Sequence, residues 1–214
     1  MFGHLQVLSA YSFQNSTILI KDLIQDANAK HIEALALTDK NNMFGALEFS
    51  QECLKYGIKP IFGMEASVMI EGEIYPFILL AKDDIGYFDL VKVCCDINLH
   101  EDKCIDLKSL ALYKGHMYII SGSAQGIVER LVAKEMEEEA VKYLKSFKDI
   151  FQDNYYVMIQ NHHIKLQQAL NERIISLAKY CRVKILCSNE VIYLKKADAL
   201  AVDLMQAANQ GLTL

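Results

Sequence analysis

The chain has 214 residues, 52% of them hydrophobic and 23% charged, with a formal net charge of −5 at pH 7. That is enough apolar material for one large or two small packed domains, and it excludes a disordered or low-complexity chain. The acidic balance argues against a surface that grips nucleic acid unaided.

The predicted elements repeat as strand, loop and helix. Residues 4–8 form a short strand, after which Ser16 is expected to cap a helix reaching about Lys30, with Ile20, Leu23, Ile24 and Ala27 on its buried face. Ala34–Thr38 is a buried strand, Asp39–Phe44 a polar loop, and Gly45–Tyr56 a helix stopped by Gly57. Lys59–Phe62 is a third strand ending in a Gly63-Met64-Glu65 loop, and residues 66–80 form a hairpin turning at Glu71-Gly72-Glu73. Asp84 is expected to cap a helix to about Leu99. A strand at Met117–Ile120, helices over roughly 125–150, a strand at Tyr155–Ile159, a helix near 164–180, a strand at Lys184–Cys187 and a helix from about 196 complete the chain. Glu135, Glu137, Glu138 and Glu139 are the densest acids and suit the solvated start of a helix.

Such alternation implies parallel pairing and βαβ units, and about seven strands fit either a barrel or a doubly wound sheet. In a barrel the loops at 9–15, 39–44, 63–65, 121–124, 160–163 and 188–193 would share one rim, where functional residues gather. No internal domain boundary is visible. Cysteines 53, 94, 95, 104, 181 and 187 include no Cys-x-x-Cys pair, which favours buried reduced thiols over disulfides or zinc. The Met1-Phe2-Gly3-His4 start has no leader pattern and no apolar run reaches about 18 residues, so a cytoplasmic protein without membrane partners is expected.

A set of blocks then carries a resemblance: His4-Leu5-Gln6-Val7-Leu8-Ser9-Ala10-Tyr11-Ser12; Ala36-Leu37-Thr38-Asp39 with Asn42-Met43-Phe44-Gly45-Ala46 and Glu48-Phe49; Gly57-Ile58-Lys59-Pro60-Ile61-Phe62-Gly63-Met64-Glu65; Leu79-Leu80-Ala81-Lys82-Asp83 with Gly86-Tyr87; Ser121-Gly122; Ile159-Gln160-Asn161-His162; and Ser188-Asn189-Glu190 with Tyr193. In this order, over essentially the whole chain, they resemble the polymerase-and-histidinol-phosphatase (PHP) domain that opens bacterial DNA polymerase III α subunits, in the DnaE-like branch. The resemblance implies a distorted (β/α)7 barrel of the PHP type spanning 1–214. It also implies a part in DNA replication within a DNA-directed DNA polymerase, a nucleotidyltransferase. Palm, thumb and fingers, with the polymerase carboxylates, would follow and are absent here. The partners it implies are the remainder of the polymerase chain, a proofreading subunit or other replisome proteins, and DNA only through the full-length polymerase.

Active PHP domains hold metal ions at the barrel rim, where metal-bound hydroxide attacks a phosphoester. Position by position, the implied ligand set is degenerate. The first-strand His-x-His falls at Gln6 and Leu8, and His4 before it is not counted as a ligand. Asp39 is retained, but the next family His is Lys40; Glu65 is retained, and a hairpin His falls at Pro76. A family Cys falls at Ser123, a Glu at Met158, and the last Asp-x-His at Glu190 and Ile192, while His162 matches a His of metal-bearing relatives. Carbon side chains offer no donor and a Gln amide is a poor ligand for transition metals. No catalytic residue, metal or cofactor is therefore expected. Zinc or manganese enters only under the alternative of a metal-dependent phosphoesterase or 3′–5′ exonuclease, and a free-standing histidinol-phosphatase-like enzyme would need the same missing ligands.

Asp39, Glu65 and Glu190 would repel one another without metal, and Lys40 is expected to sit among them as a counter-ion. The bland alternative has Lys40 in solvent. His162 and His163 are adjacent and point apart, so a hydrogen-bonded or exposed pair is expected rather than a chelate; His31, His100 and His116 are expected at the surface. Tyr11, Tyr155, Tyr156 and Tyr193 are expected to pack at the rim rather than stack on bases.

Overall fold

The computed structural model describes residues 3–209 and Gly211, apart from the side chain of Ser123. β1 (Gln6–Val7) leads to α1 (Ile20–Ala29), β2 (Ala34–Leu37), α2 (Ala46–Tyr56), β3 (Lys59–Ile70), β4 (Glu73–Ala81) and α3 (Asp84–Leu99). β5 (Ile105–Asp106), α4 (Leu107–Ala111), β6 (Met117–Ser121), α5 (Ile127–Ala133) and α6 (Glu137–Phe151) follow. β7 (Tyr155–Ile159), α7 (Lys165–Tyr180), β8 (Lys184–Cys187), β9 (Glu190–Val191) and α8 (Ala199–Asn209) end the described chain.

The main sheet runs β2-β3-β4-β6-β7-β8, with β5 against β3 and β1 paired to β9. β1 also meets β2, because Ala36 N donates to His4 O at 3.1 Å and Thr38 N to Val7 O at 2.8 Å. β8 and β9 are separated only by Ser188 and Asn189, so the sheet curls round to β1 as a distorted α/β barrel of seven staves: β1, β2, β3, β4, β6, β7 and the β8–β9 run. Pairing is parallel except where β4 runs antiparallel to both β3 and β6. The reversal follows from the tight turn at Glu71 (φ 52°) and Gly72 (φ 86°), since two successive positive φ values suit the twist of a hairpin.

Strand alternation sorts the core. On β4, Phe77 and Leu79 face outward into a large cluster under the helices, with Val93, Ile97, Phe147 and Phe151. Ile78 and Leu80 face the barrel interior with Ala36, Ile120 and Met158. The expected face of α1 is the buried one. Its cap is not: Leu19 is the N-cap, and Ser16 lies three residues further back, its hydroxyl donating to Leu8 O (2.7 Å) and Ile192 O (3.0 Å). Asp83, not Asp84, caps α3 by accepting from Gly86 N. Gly63-Met64-Glu65 is not a loop but the middle of the 12-residue β3. A Cβ on Gly63 would meet Leu79 O at 2.6 Å, so glycine serves close strand packing there.

All six cysteines are free; Cys53, Cys104 and Cys181 are buried, whereas Cys95 and Cys187 are exposed, against the expectation of uniformly buried thiols. Tyr155 is not a rim residue either, but a core residue packed on Phe147 and Phe151. Among the described residues no helix is long and apolar enough to cross a membrane.

Candidate functional site at the barrel mouth

The C-terminal ends of β1, β2 and the β8–β9 run meet the middle of β3 at one mouth. The parallel register Gln6↔Glu190 sets those two side chains next to each other, and a bridge pairs Lys40 with Glu65. Asp39, Glu65 and Glu190 thus gather as expected, but they divide into two compartments.

Asp39 sits in a cage of serines. Ser9 N and Ser9 Oγ donate to it at 2.7 Å each, and Ser12 Oγ donates at 2.6 Å. Burial pushes its carboxyl above the usual range, while the Ser12 and Ser9 donors pull it back. Three donors on one carboxylate occupy most of its lone-pair directions, so a metal would have to displace a hydrogen bond or take the one that is left.

Glu65 and Glu190 form the second compartment. Gln6 Nε2 donates to Glu65 Oε2 (3.1 Å) and to Glu190 Oε1 (3.4 Å), so its two amide hydrogens serve two acids. Gln6 Oε1 accepts in turn from Gln160 Nε2 at 3.3 Å, and Gln160 O accepts from Asn171 Nδ2 at 2.7 Å. Burial raises Glu65, with Lys40 and Gln6 opposing the shift. Glu190 rises to about 7, through desolvation first and repulsion from Glu65 second, with Lys40 lowering it. Glu190 also keeps solvent access, and screening by water weakens that repulsion. Gln6 thus bridges the two acids, while Lys40 favours their ionised forms from a distance.

Lys40 does not form the expected salt bridge with the acids, although its charge still favours the ionised forms of Glu65 and Glu190 from a distance. Its side chain is exposed, and among the described residues it enters no ion pair within 4.0 Å. Its backbone N–H donates to Ser12 Oγ at 3.0 Å, which fixes the turn while the stem points to solvent. A lysine beside bulk water keeps its hydration, which burial among carboxylates would remove.

The remaining positions offer little to a cation. Leu8 and Met158 are buried at 2% exposure, and Ile192 contributes its backbone oxygen to Ser16. Pro76 packs so closely on Gly122 that a Cβ there would lie 2.1 Å from Pro76 O. Ser123 lies in a short 3-10 turn, its side chain outside the described atoms. His162 is exposed and turned onto Gln167, whose Nε2 lies 3.1 Å from His162 Nδ1. His163 is exposed as well. Among the described residues, no three His, Cys, Asp or Glu donor atoms converge at the mouth. The side chains present do not fit a metal cluster.

On the outer, helix-covered face of the sheet, Ser121 Oγ donates to Glu129 Oε1 at 2.5 Å and accepts from Met158 N at 2.9 Å. Glu129 is 2% exposed, and its Oε2, like the Tyr155 hydroxyl, has no hydrogen-bond partner among the described residues. Burial pushes Glu129 up to about 7 against the Ser121 hydrogen bond. Ser9, Ser12, Gln160 and Glu129 are the site residues to which sequence reasoning gave no role. Ser9, Ser12 and Gln160 lie within the family blocks, whereas Glu129 lies outside them and no sequence signal marks it.

A curled α/β barrel with this mouth defines a class, and residues 4–162 match the PHP domain family. The chain belongs to that family. It is also similar along nearly its whole length to particular proteins: DNA polymerase III subunit alpha of Borreliella burgdorferi (32% identical, 98% of this chain, 20% of the relative) and of Bacillus subtilis (32% identical, 98% of this chain, 19% of the relative). The chain thus spans about a fifth of the curated relatives it matches. Solved structures share the fold at low identity. A Bifidobacterium adolescentis chain described as a metal-dependent phosphoesterase superposes with TM-score 0.58 at 11% identity, covering 88% of this chain and 87% of its own. An amidohydrolase from Chromobacterium violaceum, with bound sulfate and no metal, gives 0.54 at 11% identity, covering 95% and 96%.

Proposed function

We propose that this chain is the N-terminal PHP region of a polymerase III α-type polypeptide and acts in DNA replication without a metal-dependent reaction of its own. Its work is structural: it braces the polymerase chain that follows, or offers a surface to a proofreading subunit or other replisome protein. DNA is reached only through the full-length polymerase, a nucleotidyltransferase of the cytoplasm. The observation that carries this reading is the Gln160–Gln6–Glu65/Glu190 network, an amide bridge where a hydrolytic PHP site needs open donors.

Without metal-bound hydroxide the mouth offers no activated nucleophile among the described residues, where the serines at Asp39 hydrogen-bond a carboxylate and no histidine. The test is hydrolysis of a phosphodiester such as bis-p-nitrophenyl phosphate, and of a 3′-labelled single strand, with manganese or zinc added. No turnover above buffer is expected. Metal-dependent turnover abolished by Asp39→Asn or Glu65→Gln would overturn the reading. The competing reading, a metal-dependent phosphoesterase or 3′–5′ exonuclease, has the fold likeness in its favour but not the side chains.

A further inference from the structure

Outside the mouth, one other cluster has ligand chemistry. α3 ends at His100, its C-cap, and the chain turns back through Lys103 (φ 51°) to Cys104 before β5 pairs with β3. The turn brings His100, Asp102 and Cys104 together, with one donor atom from each lying within 4.8 Å of the others. Cys104 Sγ is 3.9 Å from His100 Nδ1. Two ligand atoms on a tetrahedral zinc-sized ion stand about 3.5 Å apart, from metal–ligand bonds of roughly 2.0–2.3 Å. The sulfur–imidazole pair is close to that spacing, and the exposed Asp102 carboxylate, within 4.8 Å, would swing in to complete the set.

We propose that His100, Asp102 and Cys104 form a binding site for one divalent ion of the zinc class, distinct from the barrel mouth. The chemistry of the donors sets the class. A thiolate, an imidazole and a carboxylate suit Zn(II) or Co(II), whereas magnesium and calcium want oxygen alone. The sulfur lies at the floor, Cys104 being 1% exposed, while His100 and Asp102 are exposed and leave the fourth position to solvent. On binding, the Cys104 thiol gives its proton to solvent and the sulfur lone pair forms the metal bond. His100 Nδ1 accepts from Asp102 N at 3.2 Å, an exposed contact that water can replace if that lone pair turns to the metal. The turn is already braced by Lys103 Nζ donating to Asn98 O (2.6 Å) and by Asn41 Nδ2 donating to Lys103 O (3.4 Å). Occupancy would pin the α3–β5 connection to β3, the strand that carries Glu65.

The probe is Co(II), titrated into the reduced, chelator-stripped 214-residue chain. A thiolate-to-cobalt charge-transfer band should appear, saturate at one equivalent and be discharged by Zn(II). Affinity should fall about tenfold or more in His100→Ala, whose ring is exposed, and the band should vanish in Cys104→Ser. Circular dichroism shows whether each variant is folded, and His100→Ala carries the test if Cys104→Ser is not. The band should be unchanged in Glu65→Gln/Glu190→Gln. Absence of the band at tenfold cobalt excess overturns the site. So does a band that keeps its affinity in His100→Ala, or one that survives in Cys104→Ser and traces to exposed Cys95 or Cys187.

Discussion

Glu129→Gln tests the buried polar pair between β6 and α5. Gln keeps the shape of the side chain and an oxygen to accept from Ser121, but it cannot ionise. In the native protein burial raises Glu129 from 4.5 to about 7, so the folded state holds a proton that the unfolded chain releases near 4.5. A raised folded-state value gives stability that is full below 4.5 and lost as pH climbs through about 7. Between pH 5 and pH 8 that linkage is worth roughly 2–3 kcal/mol, because each tenfold difference in proton affinity between the folded and unfolded states contributes on the order of 1 kcal/mol. Urea unfolding of both proteins at the two pH values measures it. The native protein should lose roughly 2–3 kcal/mol more than Glu129→Gln on going from pH 5 to pH 8, leaving the variant relatively more stable in alkali. Equal losses in the two proteins would refute the buried, proton-holding carboxyl.

Other expectations follow from the two mouth compartments. Gln6→Ala strips an amide donor from the buried Glu65 and should destabilise by about 1–3 kcal/mol, with a smaller effect in a Glu65→Gln background; equal effects in both in a denaturant double-mutant cycle would break the bridge. Ser12→Ala should cost about 1–3 kcal/mol by denaturant unfolding, because it removes a hydroxyl from a buried carboxylate and the acceptor for Lys40 N–H. Lys40→Ala should change stability by less than about 0.5 kcal/mol, since its side chain is exposed and unpaired among the described residues; a loss above about 2 kcal/mol would restore the counter-ion. Gly122→Ala should lower the thermal midpoint with a cost of about 1–3 kcal/mol, its new methyl colliding with the backbone of Pro76.

Much of the fold was legible because periodicity reports burial directly. The apolar face of α1 and the strands Tyr155–Ile159 and Lys184–Cys187 lie where their patterns put them. The hairpin turn was signalled by Glu71-Gly72. The two-residue strands β5 and β9 were not legible, because pairing partners rather than pattern define so short a strand. The bounds of β3 were misjudged because Gly63 resembles a breaker, yet it serves a close strand contact. At the site, the family blocks located the three acids, and charge counting found the cation that acts on them but not its distance from them. Gln6, read as a lost ligand, is the bridging residue, and Lys40, read as the counter-ion, faces water. Side-chain direction at a strand end is set by register, as in Gln6↔Glu190, and register is a property of the assembled sheet.

On the proposed function, the mouth gathers its acids around the Gln6 amide and binds no metal. Equilibrium dialysis against Mn(II) and Zn(II), followed by elemental analysis, tests this most directly when run on His100→Ala/Cys104→Ser, which removes two of the outer site's three ligands. The account predicts no stoichiometric metal in that variant. Two or more tightly bound ions per chain, lost on adding Asp39→Asn and Glu65→Gln, would contradict it.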